Sequence, residues 1–249
     1  MKSNIFFLTL VLSISFSYST NVKFHNVNDL YGVSMRETAS ICKDNNGFIW
    51  TSSKTGIMRI SDNDCRIYSI PYRTTDIINV KLVYNNNFLI AYSNNGQAFR
   101  YNAVHDRFDF LFHLSILLGN RHLVVSSIII DNQGDLWISS SMGLHHYQNE
   151  EITQVEKDNT ELFSIKYDEN HILFIRSDEI YLLNLKTKLS ECILKNSFLS
   201  INQITTPLFY DAKENRLWIS SPYNSLFFYD FNDKHLAKIP IHSFQKQLV

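Results

Sequence analysis

DNNGFIWTSSKTGIMRI, at residues 44–60, and DNQGDLWISSSMGLHHY, at residues 131–147, follow the same pattern. When they are aligned on their tryptophans, the two stretches coincide at six positions with identical spacing. The shared positions are Asp44, Gly47, Trp50, Ser52, Ser53 and Gly56 in the first stretch, and Asp131, Gly134, Trp137, Ser139, Ser140 and Gly143 in the second. Self-similarity of this kind indicates a repeat architecture and constrains the fold before any strand or helix is assigned.

Three further copies of the pattern are weaker. The stretch DAKENRLWISSPYNSLFFY keeps Trp218, whereas NNNFLIAYSNNGQAFRY and DENHILFIRSDEIYLLN carry Ile90 and Leu173 in the place of the tryptophan. The anchors Trp50, Ile90, Trp137, Leu173 and Trp218 therefore recur at intervals of about 40 residues, which is the length of a propeller blade.

The composition and the division of each copy favour an all-β fold. The chain has 18 Phe and 13 Tyr against 7 Gly and 4 Pro, and aromatic residues are typical of strands. Each copy contains four short apolar runs separated by turn residues, which in the first copy are 38–44, 47–53, 56–61 and 66–72. Four antiparallel strands per repeat make a β-propeller blade, so residues 20–249 are predicted to form five blades. The three tryptophans are interpreted as packing residues buried between neighbouring sheets.

The outermost strands bear on whether these blades close into a ring. Every copy has a fourth strand of its own, predicted at Arg66–Tyr72, Arg107–Leu114, Glu151–Lys157, Leu189–Lys195 and His235–His242. The run Val22–Val27 is predicted as an additional strand with no blade to complete. We therefore expect an incomplete arc, which further repeats beyond Val249 would close.

The N-terminal segment, residues 1–19, has the composition of a secretory signal peptide. Lys2 precedes an apolar core from Ile5 to Phe16, and Ser17 and Ser19 suit a cleavage site. Later stretches fall short of the roughly 18 uninterrupted apolar residues of a membrane helix. A periplasmic or other extracytoplasmic location is expected, with membrane attachment only through regions beyond this chain.

Charge and cysteine content restrict the partners. Lys and Arg number 23 against 24 Asp and Glu, so the net charge is −1, which provides no basic field for nucleic acid. The cysteines Cys42, Cys65 and Cys192 lack metal-ligand spacing, and at most one disulfide can form among them. Free thiols packed as small apolar side chains are favoured over a disulfide.

Catalytic motifs are not found in the sequence. His145 and His146 are neighbours on a predicted strand, so their side chains point to opposite faces and are interpreted as packed or solvated rather than metal ligands. Glu150 and Glu151 are interpreted as solvated turn charges. The repeat does not match the sialidase-type turn motif S-x-D-x-G-x-x-W, because it lacks the serine and the aspartate of that motif. A glycosidase also needs a carboxylate pair in a common cleft. We therefore predict no catalysis, no cofactor and no metal ion, and a propeller glycoside hydrolase is the least favoured alternative.

The pattern V-x-x-I-x-x-D-x-x-G-x-[IL]-W-x-x-[ST]-x-x-G-[IL], matched from Val125 to Leu144, resembles the two-component regulator propeller repeat. That repeat occurs in periplasmic sensor regions of hybrid two-component system proteins. The resemblance implies a seven-bladed propeller, a sensory input role without catalysis in this segment, and glycan-derived oligosaccharides as ligands. It also implies a homodimer within a full-length sensor. A secreted propeller that binds glycan or protein without signalling is the alternative.

Ligand-binding residues are predicted in the loops at one mouth of the propeller, because loops on a rigid scaffold vary without cost to the core. The mouth chosen is the one that collects the connections between repeats and the turns between second and third strands. The candidates are Arg73, Arg121, His122 and Tyr223. Arginine can hydrogen-bond hydroxyls or carboxylates, and tyrosine offers a sugar an apolar face.

Overall fold

The structure is a computed structural model that describes residues 26–32, 37–53, 56–61, 64–72, 79–157, 163–176, 179–195, 206–221 and 225–240. The chain divides into two compact units, Met1–Ser34 and Met35–Val249. In the first unit, the described residues form one short helix, α1 (Val27–Tyr31). The predicted extra strand is therefore wrong at Val27, while its residues 22–25 and the predicted signal peptide lie outside the described residues.

The second unit contains five four-stranded antiparallel sheets, each built from strands that are consecutive in the chain. Sheet 1 comprises β1 (Ser40–Lys43), β2 (Ile49–Ser53), β3 (Gly56–Ile60) and β4 (Cys65–Tyr68). Sheet 2 comprises β5 (Val80–Asn85), β6 (Phe88–Ser93), β7 (Gln97–Asn102) and β8 (Arg107–His113). Sheet 3 comprises β9 (Val125–Ile130), β10 (Leu136–Ser140), β11 (Gly143–Gln148) and β12 (Glu151–Lys157).

Sheets 4 and 5 repeat this order. Sheet 4 comprises β13 (Phe163–Lys166), β14 (His171–Arg176), β15 (Glu179–Asn184) and β16 (Ser190–Lys195). Sheet 5 comprises β17 (Thr206–Asp211), β18 (Arg216–Ser221), β19 (Ser225–Asp230) and β20 (His235–Pro240). A second short helix, α2 (Leu114–Leu117), connects sheets 2 and 3. The prediction of an all-β propeller with five four-stranded blades is confirmed, and the prediction that further repeats complete a ring stays a prediction.

The predicted outer strands match the observed ones within a few residues. The first fourth strand, β4, ends at Tyr68 and not at Tyr72. The second, β8, ends at His113 because Leu114 begins α2.

The aspartate of the repeat organises the turn between the first two strands of its sheet. Asp44 Oδ1 accepts hydrogen bonds from the backbone N–H groups of Asn46 (2.9 Å) and Phe48 (3.0 Å), and Asp44 Oδ2 accepts one from Trp50 Nε1 (2.8 Å). Gly47 has a φ of +89°, a left-handed conformation that a side chain would strain. The aspartate thus links the tight turn to the tryptophan.

The same turn is built in sheet 3. Asp131 Oδ1 accepts from the backbone N–H groups of Gln133 (2.9 Å) and Asp135 (3.0 Å), and Asp131 Oδ2 accepts from Trp137 Nε1 (3.0 Å). Two turns whose residues lie far apart in the chain therefore share one set of hydrogen bonds, which is the physical basis of the repeated sequence.

Apolar clusters lie between consecutive sheets. Trp50, on sheet 1, packs in one cluster with Val80 and Phe99 of sheet 2. Trp137, on sheet 3, packs in another with Phe174 of sheet 4. Trp50 and Trp137 are each 1% exposed, so these two indoles are fully removed from water.

Trp218, on sheet 5, has a different environment from the other two tryptophans. It is only partly buried, and its ring contacts Phe209 and Phe228 of its own sheet, at centroid distances of 6.0 Å and 5.5 Å. Phe209 is 50% exposed. Buried hydrophobic packing of the repeat tryptophan therefore holds for the first and third sheets and is incomplete in the fifth.

The repeat serines also join neighbouring sheets. Ser52 Oγ donates to the backbone oxygen of Val80 at 2.7 Å, and Ser139 Oγ donates to Ser164 Oγ at 2.6 Å. Both serines are fully buried, and a buried hydroxyl needs such a partner. The hydrogen bond fixes the first strand of the next sheet against the second strand of the preceding one.

Cys42, Cys65 and Cys192 are free thiols, each partly buried. Burial, with the charge of Asp44, raises the pKa of Cys42 to about 11, so this thiol is a poor nucleophile at neutral pH. Over the described residues, we find no helix with the length and apolar character needed to cross a membrane.

Candidate functional site

Each sheet presents two edges with different loops. The loops lie at the two ends of the strands. The end that carries the turns between first and second strands and between third and fourth strands is called the first-turn edge, and the opposite end is called the connection edge. Neighbouring sheets touch along the first-turn edge, where Asn45 Nδ2 donates to Asn87 Oδ1 at 3.1 Å and Asn86 Nδ2 donates to Asn132 Oδ1 at 3.3 Å. Lys166 Nζ also donates to Asn132 Oδ1, at 3.3 Å. These contacts join sheets 1 to 4 in one polar rim.

A cavity of about 260 Å³ opens on the first-turn edge between sheets 2 and 3. Aromatic, amide and charged side chains share its wall with a glycine. The lining residues are Phe88, Arg100, Leu111, Gln133, Gly134, Asp135, Tyr147, Gln148, Asn149 and Glu150. Its volume is just below the roughly 300–1,000 Å³ typical of pockets for drug-sized ligands, so it can take a small ligand or one unit of a longer one.

Glycine is required where the two sheets meet at this cavity. Gly134 has a φ of +88°, and a Cβ added there would lie 2.6 Å from Phe88 Cε2. Only a residue without a side chain therefore allows the Phe88 ring to approach the turn of sheet 3.

A guanidinium group without an ion pair among the described residues lies in the cavity wall. Arg100 packs over the Phe88 ring, with 5.1 Å from Cζ to the ring centroid. Its Nε atom is buried and has no hydrogen-bond partner among the described residues. A buried donor left in this state costs free energy.

Several of the other lining side chains are acidic or carry amides. Gln148 Nε2 donates to Asp135 Oδ2 at 2.5 Å. Burial raises the pKa of Tyr147, with a further increase from Glu150 and a decrease from Arg100, so the phenol is a neutral donor at physiological pH. The cavity lining thus combines carboxylate acceptors and a neutral phenol with the Arg100 guanidinium.

Next to the cavity, His146 lies on the ring of Trp137, with centroids 4.2 Å apart and an interplanar angle of 28°. His146 Nε2 is 3.6 Å from Asp135 Oδ2. Burial lowers the pKa of His146, and Lys188 lowers it further, against the opposing effects of Asp135 and Asp131. The imidazole is therefore neutral at physiological pH. His145 points to the other face and is buried, being 1% exposed.

The corresponding place between sheets 1 and 2 is filled by a paired cation. Arg59 lies over Trp50 (5.5 Å from Cζ to the ring centroid) and its Nη1 donates to Asp106 Oδ1 at 3.3 Å. Asp106 Oδ1 also accepts from Tyr68 Oη (2.7 Å) and Tyr101 Oη (2.6 Å). Although burial raises it, the pKa of Asp106 is lowered overall by these hydrogen bonds and by Arg59 and Arg66.

Strand register shows that these three places are equivalent. Arg59 is the cross-strand partner of Trp50, Arg100 that of Ile90, and His146 that of Trp137. A basic or imidazole side chain therefore lies across from the repeat anchor in sheets 1, 2 and 3. This periodicity was readable in the sequence and was the missed signal for Arg100 and His146.

Two of the sequence-predicted ligand residues lie in the described part of the chain. Arg121 and His122 are exposed in the turn between α2 and β9, on the connection edge. They do not line the cavity, which lies on the first-turn edge. Arg73 and Tyr223 lie outside the described residues. A ligand role for these four residues stays a prediction.

Comparison of the coordinates with solved structures shows propellers. The chain is similar to regucalcin, a calcium-binding protein from Agrobacterium tumefaciens str. C58, with a TM-score of 0.58 and 16% identity over 84% of this chain and 76% of that one. It is similar to the WD40 β-propeller domain of Doa1, with a TM-score of 0.63 and 12% identity over 84% and 70% of the two chains.

A third similar structure is the extracellular domain of a hybrid two-component system from B. thetaiotaomicron, with a TM-score of 0.59 and 12% identity over 82% of this chain. The alignment spans only 30% of that domain's length. The sequence matches no family model and no curated protein. At these identities, the likenesses establish the propeller fold and nothing about the activity.

Proposed function

We propose that this chain is the ligand-binding propeller of an extracytoplasmic sensor protein, and that it binds one unit of a glycan-derived oligosaccharide in the cavity between sheets 2 and 3. The observation that carries the ligand proposal is Arg100, whose guanidinium lies in the cavity wall without an ion pair among the described residues. The sensor role is supported by the repeat pattern from Val125 to Leu144 and by the extracellular sensor domain among the similar structures.

The cavity wall suits a sugar for three reasons. The apolar side chains of Phe88 and Leu111 line the cavity and can contact the C–H groups of a sugar ring. Gln133 and Asn149 add amide groups that can donate to hydroxyls or accept from them. Arg100 can pair with a carboxylate in a charge-assisted hydrogen bond, which favours oligosaccharides that contain a uronic acid over neutral ones.

A thermal-shift and calorimetric comparison tests the ligand. The purified chain is titrated with a uronic-acid oligosaccharide and with the neutral oligosaccharide of the same linkage. The acidic ligand should stabilise the chain by about 2.7 kcal/mol at 100 times its dissociation constant, and Arg100→Gln should remove most of this effect. Arg121→Gln, on the connection edge, is the matched control and should leave binding unchanged. If Arg121→Gln abolishes binding and Arg100→Gln does not, the ligand binds at the connection edge and the proposed cavity is not its site.

Location in the source cell tests the sensor role separately. An antiserum against the purified chain should detect a membrane-associated protein that protease added outside the cytoplasmic membrane can digest. Recovery of the antigen only from the medium, without membrane association, would favour the alternative of a secreted binding propeller. A cytoplasmic antigen protected from protease would contradict both.

A further inference from the structure

Three side chains at the first-turn edge of sheet 3 have ligand atoms that converge. One carboxylate oxygen each of Asp131 and Asp135 and one ring nitrogen of His146 lie within 4.8 Å of one another. Ligand atoms bound to one Zn²⁺ ion at about 2.0–2.2 Å lie at most about 4.3 Å apart. In a tetrahedral site the ligand atoms lie about 3.4 Å apart, so side-chain movements on the order of 1 Å would bring these three atoms into a common coordination sphere.

The histidine provides an observation that is independent of the two acids. His146 is 5% exposed, and its Nε2 atom is buried without a hydrogen-bond partner among the described residues. Its distance of 3.6 Å to Asp135 Oδ2 is too long for a hydrogen bond. Buried polar atoms almost always have a partner, so an unpartnered ring nitrogen aimed at two carboxylates points to a cation between them.

Each carboxylate has a free acceptor position and a partner that orients it. Asp131 Oδ2 accepts from Trp137 Nε1 at 3.0 Å, and Asp135 Oδ2 accepts from Gln148 Nε2 at 2.5 Å. Because a carboxylate oxygen can accept more than one hydrogen bond, each Oδ2 keeps a lone pair for a metal ion. Hydrogen bonds of this kind hold metal ligands in place and are as important as the ligands themselves.

The equivalent positions in sheet 1 contain no such set. Phe48 stands where Asp135 stands in the turn of sheet 3, and Arg59 stands where His146 lies across from the tryptophan. Arg59 supplies a permanent cation next to Phe48 and Trp50. Compared with sheet 1, sheet 3 therefore has a carboxylate in place of the aromatic ring and an imidazole in place of the guanidinium.

We propose that Asp131, Asp135 and His146 bind a divalent transition-metal ion, preferentially Zn²⁺. An imidazole with two carboxylates suits Zn²⁺ best among the common divalent ions, Mn²⁺ less well, and Ca²⁺ or Mg²⁺ poorly. Asp135 also lines the cavity between sheets 2 and 3, so the ion has a route to the site and keeps coordination positions open. The site stands on these residues alone and does not depend on the proposed sugar ligand.

The sequence by itself predicts no metal ion at these residues. The expectation rested on His145 and His146 pointing to opposite faces, which they do. The other two ligands, Asp131 and Asp135, lie in the turn between β9 and β10. The hydrogen bonds of this turn place both carboxylates near His146.

Calorimetric titration of the chelator-treated full chain with ZnCl₂ and MnCl₂ tests the site. We expect one zinc ion per chain and weaker binding of Mn²⁺. Asp135→Asn and His146→Gln should each lower zinc affinity at least tenfold, whereas the matched controls Glu214→Gln and His122→Gln, at exposed residues outside the cavity lining, should leave it unchanged. Co²⁺ should give visible absorption bands that His146→Gln abolishes.

Lys188→Gln keeps the test decisive if a ligand variant folds poorly. Lys188 is exposed, and its charge acts on His146, so its removal should leave the fold intact and strengthen zinc binding by about two- to fivefold. The proposal would be overturned if the unmodified chain bound zinc with a dissociation constant weaker than about 1 mM. It would also be overturned if Lys188→Gln and Asp135→Asn left the zinc affinity unchanged while His122→Gln reduced it.

Discussion

The contact between sheets 1 and 2 is filled at its first-turn edge, whereas the equivalent contact between sheets 2 and 3 holds a cavity. In the first, the Trp50 indole is buried and Arg59 pairs with Asp106. In the second, Ile90 takes the tryptophan place and Arg100 has no ion pair among the described residues. The two contacts therefore differ both in the residue at the anchor position and in the partner of the arginine across from it. Sheets 1 and 2 thus have an arginine at the same position across from the anchor, and the neighbouring residues decide whether it forms an ion pair.

The largest expected effects concern the anchors. Trp50→Ala and Trp137→Ala should each lower the free energy of unfolding by about 3–5 kcal/mol, because each removes a fully buried indole and leaves a void. Trp218→Ala should cost about 1–2 kcal/mol, since this ring is only partly buried. Urea titration measures all three. Equal losses would show that sheet 5 is as well packed as sheets 1 and 3.

The turn aspartates should come next. Asp44→Ala and Asp131→Ala should each cost about 2–3 kcal/mol, because each removes two hydrogen bonds to backbone amides and leaves a tryptophan N–H unsatisfied. Asp211 bonds two backbone amides through Oδ1, and its Ala variant is the control. It should cost about 1 kcal/mol or less, since no indole depends on it. A loss for Asp211→Ala as large as for Asp131→Ala would remove the special role of the tryptophan bond.

The Asp106 pair that fills the first contact predicts a pH effect. The lowered pKa of Asp106 means that its contribution to stability is present above its unfolded pKa of about 3.9 and is lost as the pH falls through the folded pKa. Asp106→Asn should therefore be less stable than the unmodified chain at pH 7, and should lose less stability between pH 6 and pH 3. Denaturant titrations across this range measure both quantities.

A second aspartate provides the control for this pH effect. Asp109 also has a lowered pKa, through hydrogen bonds from Asn102 and Arg107, but its side chain is more exposed than that of Asp106. Asp109→Asn should change the pH profile in the same direction and by less. Identical profiles for the Asp106→Asn variant and the unmodified chain would mean that the pair does not stabilise the fold.

The smallest expected effect concerns the arginine of the open contact. Arg100→Gln should lower the free energy of unfolding by no more than about 1 kcal/mol, because it removes the contact of the guanidinium with the Phe88 ring and no ion pair among the described residues. The exposed Arg121 is the reference and should behave alike in this assay. A destabilisation by Arg100→Gln of about 2 kcal/mol would show that this guanidinium is structural, like that of Arg59, and would weaken its assignment to a ligand.

The blade length, the five anchors and the turns were readable from the chain because they depend on local chemistry. An aspartate followed three residues later by glycine, and six residues later by tryptophan, builds the same hydrogen-bonded turn at Asp44 and at Asp131. The strand periodicity between such turns follows from alternation of side chains. Only the short helices and the ends of some outer strands departed from this reading.

Tertiary structure alone decided the cavity, because its lining residues come from two different sheets. Arg100 and Glu150 line one cavity although they are separated by about one repeat, and nothing in either stretch indicates the other. Local sequence specifies a residue's strand and face, whereas its neighbours depend on how closely two sheets approach. At the cavity, that approach is set by the contact between the repeat glycine Gly134 and the Phe88 ring, and the repeat pattern by itself does not reveal that contact.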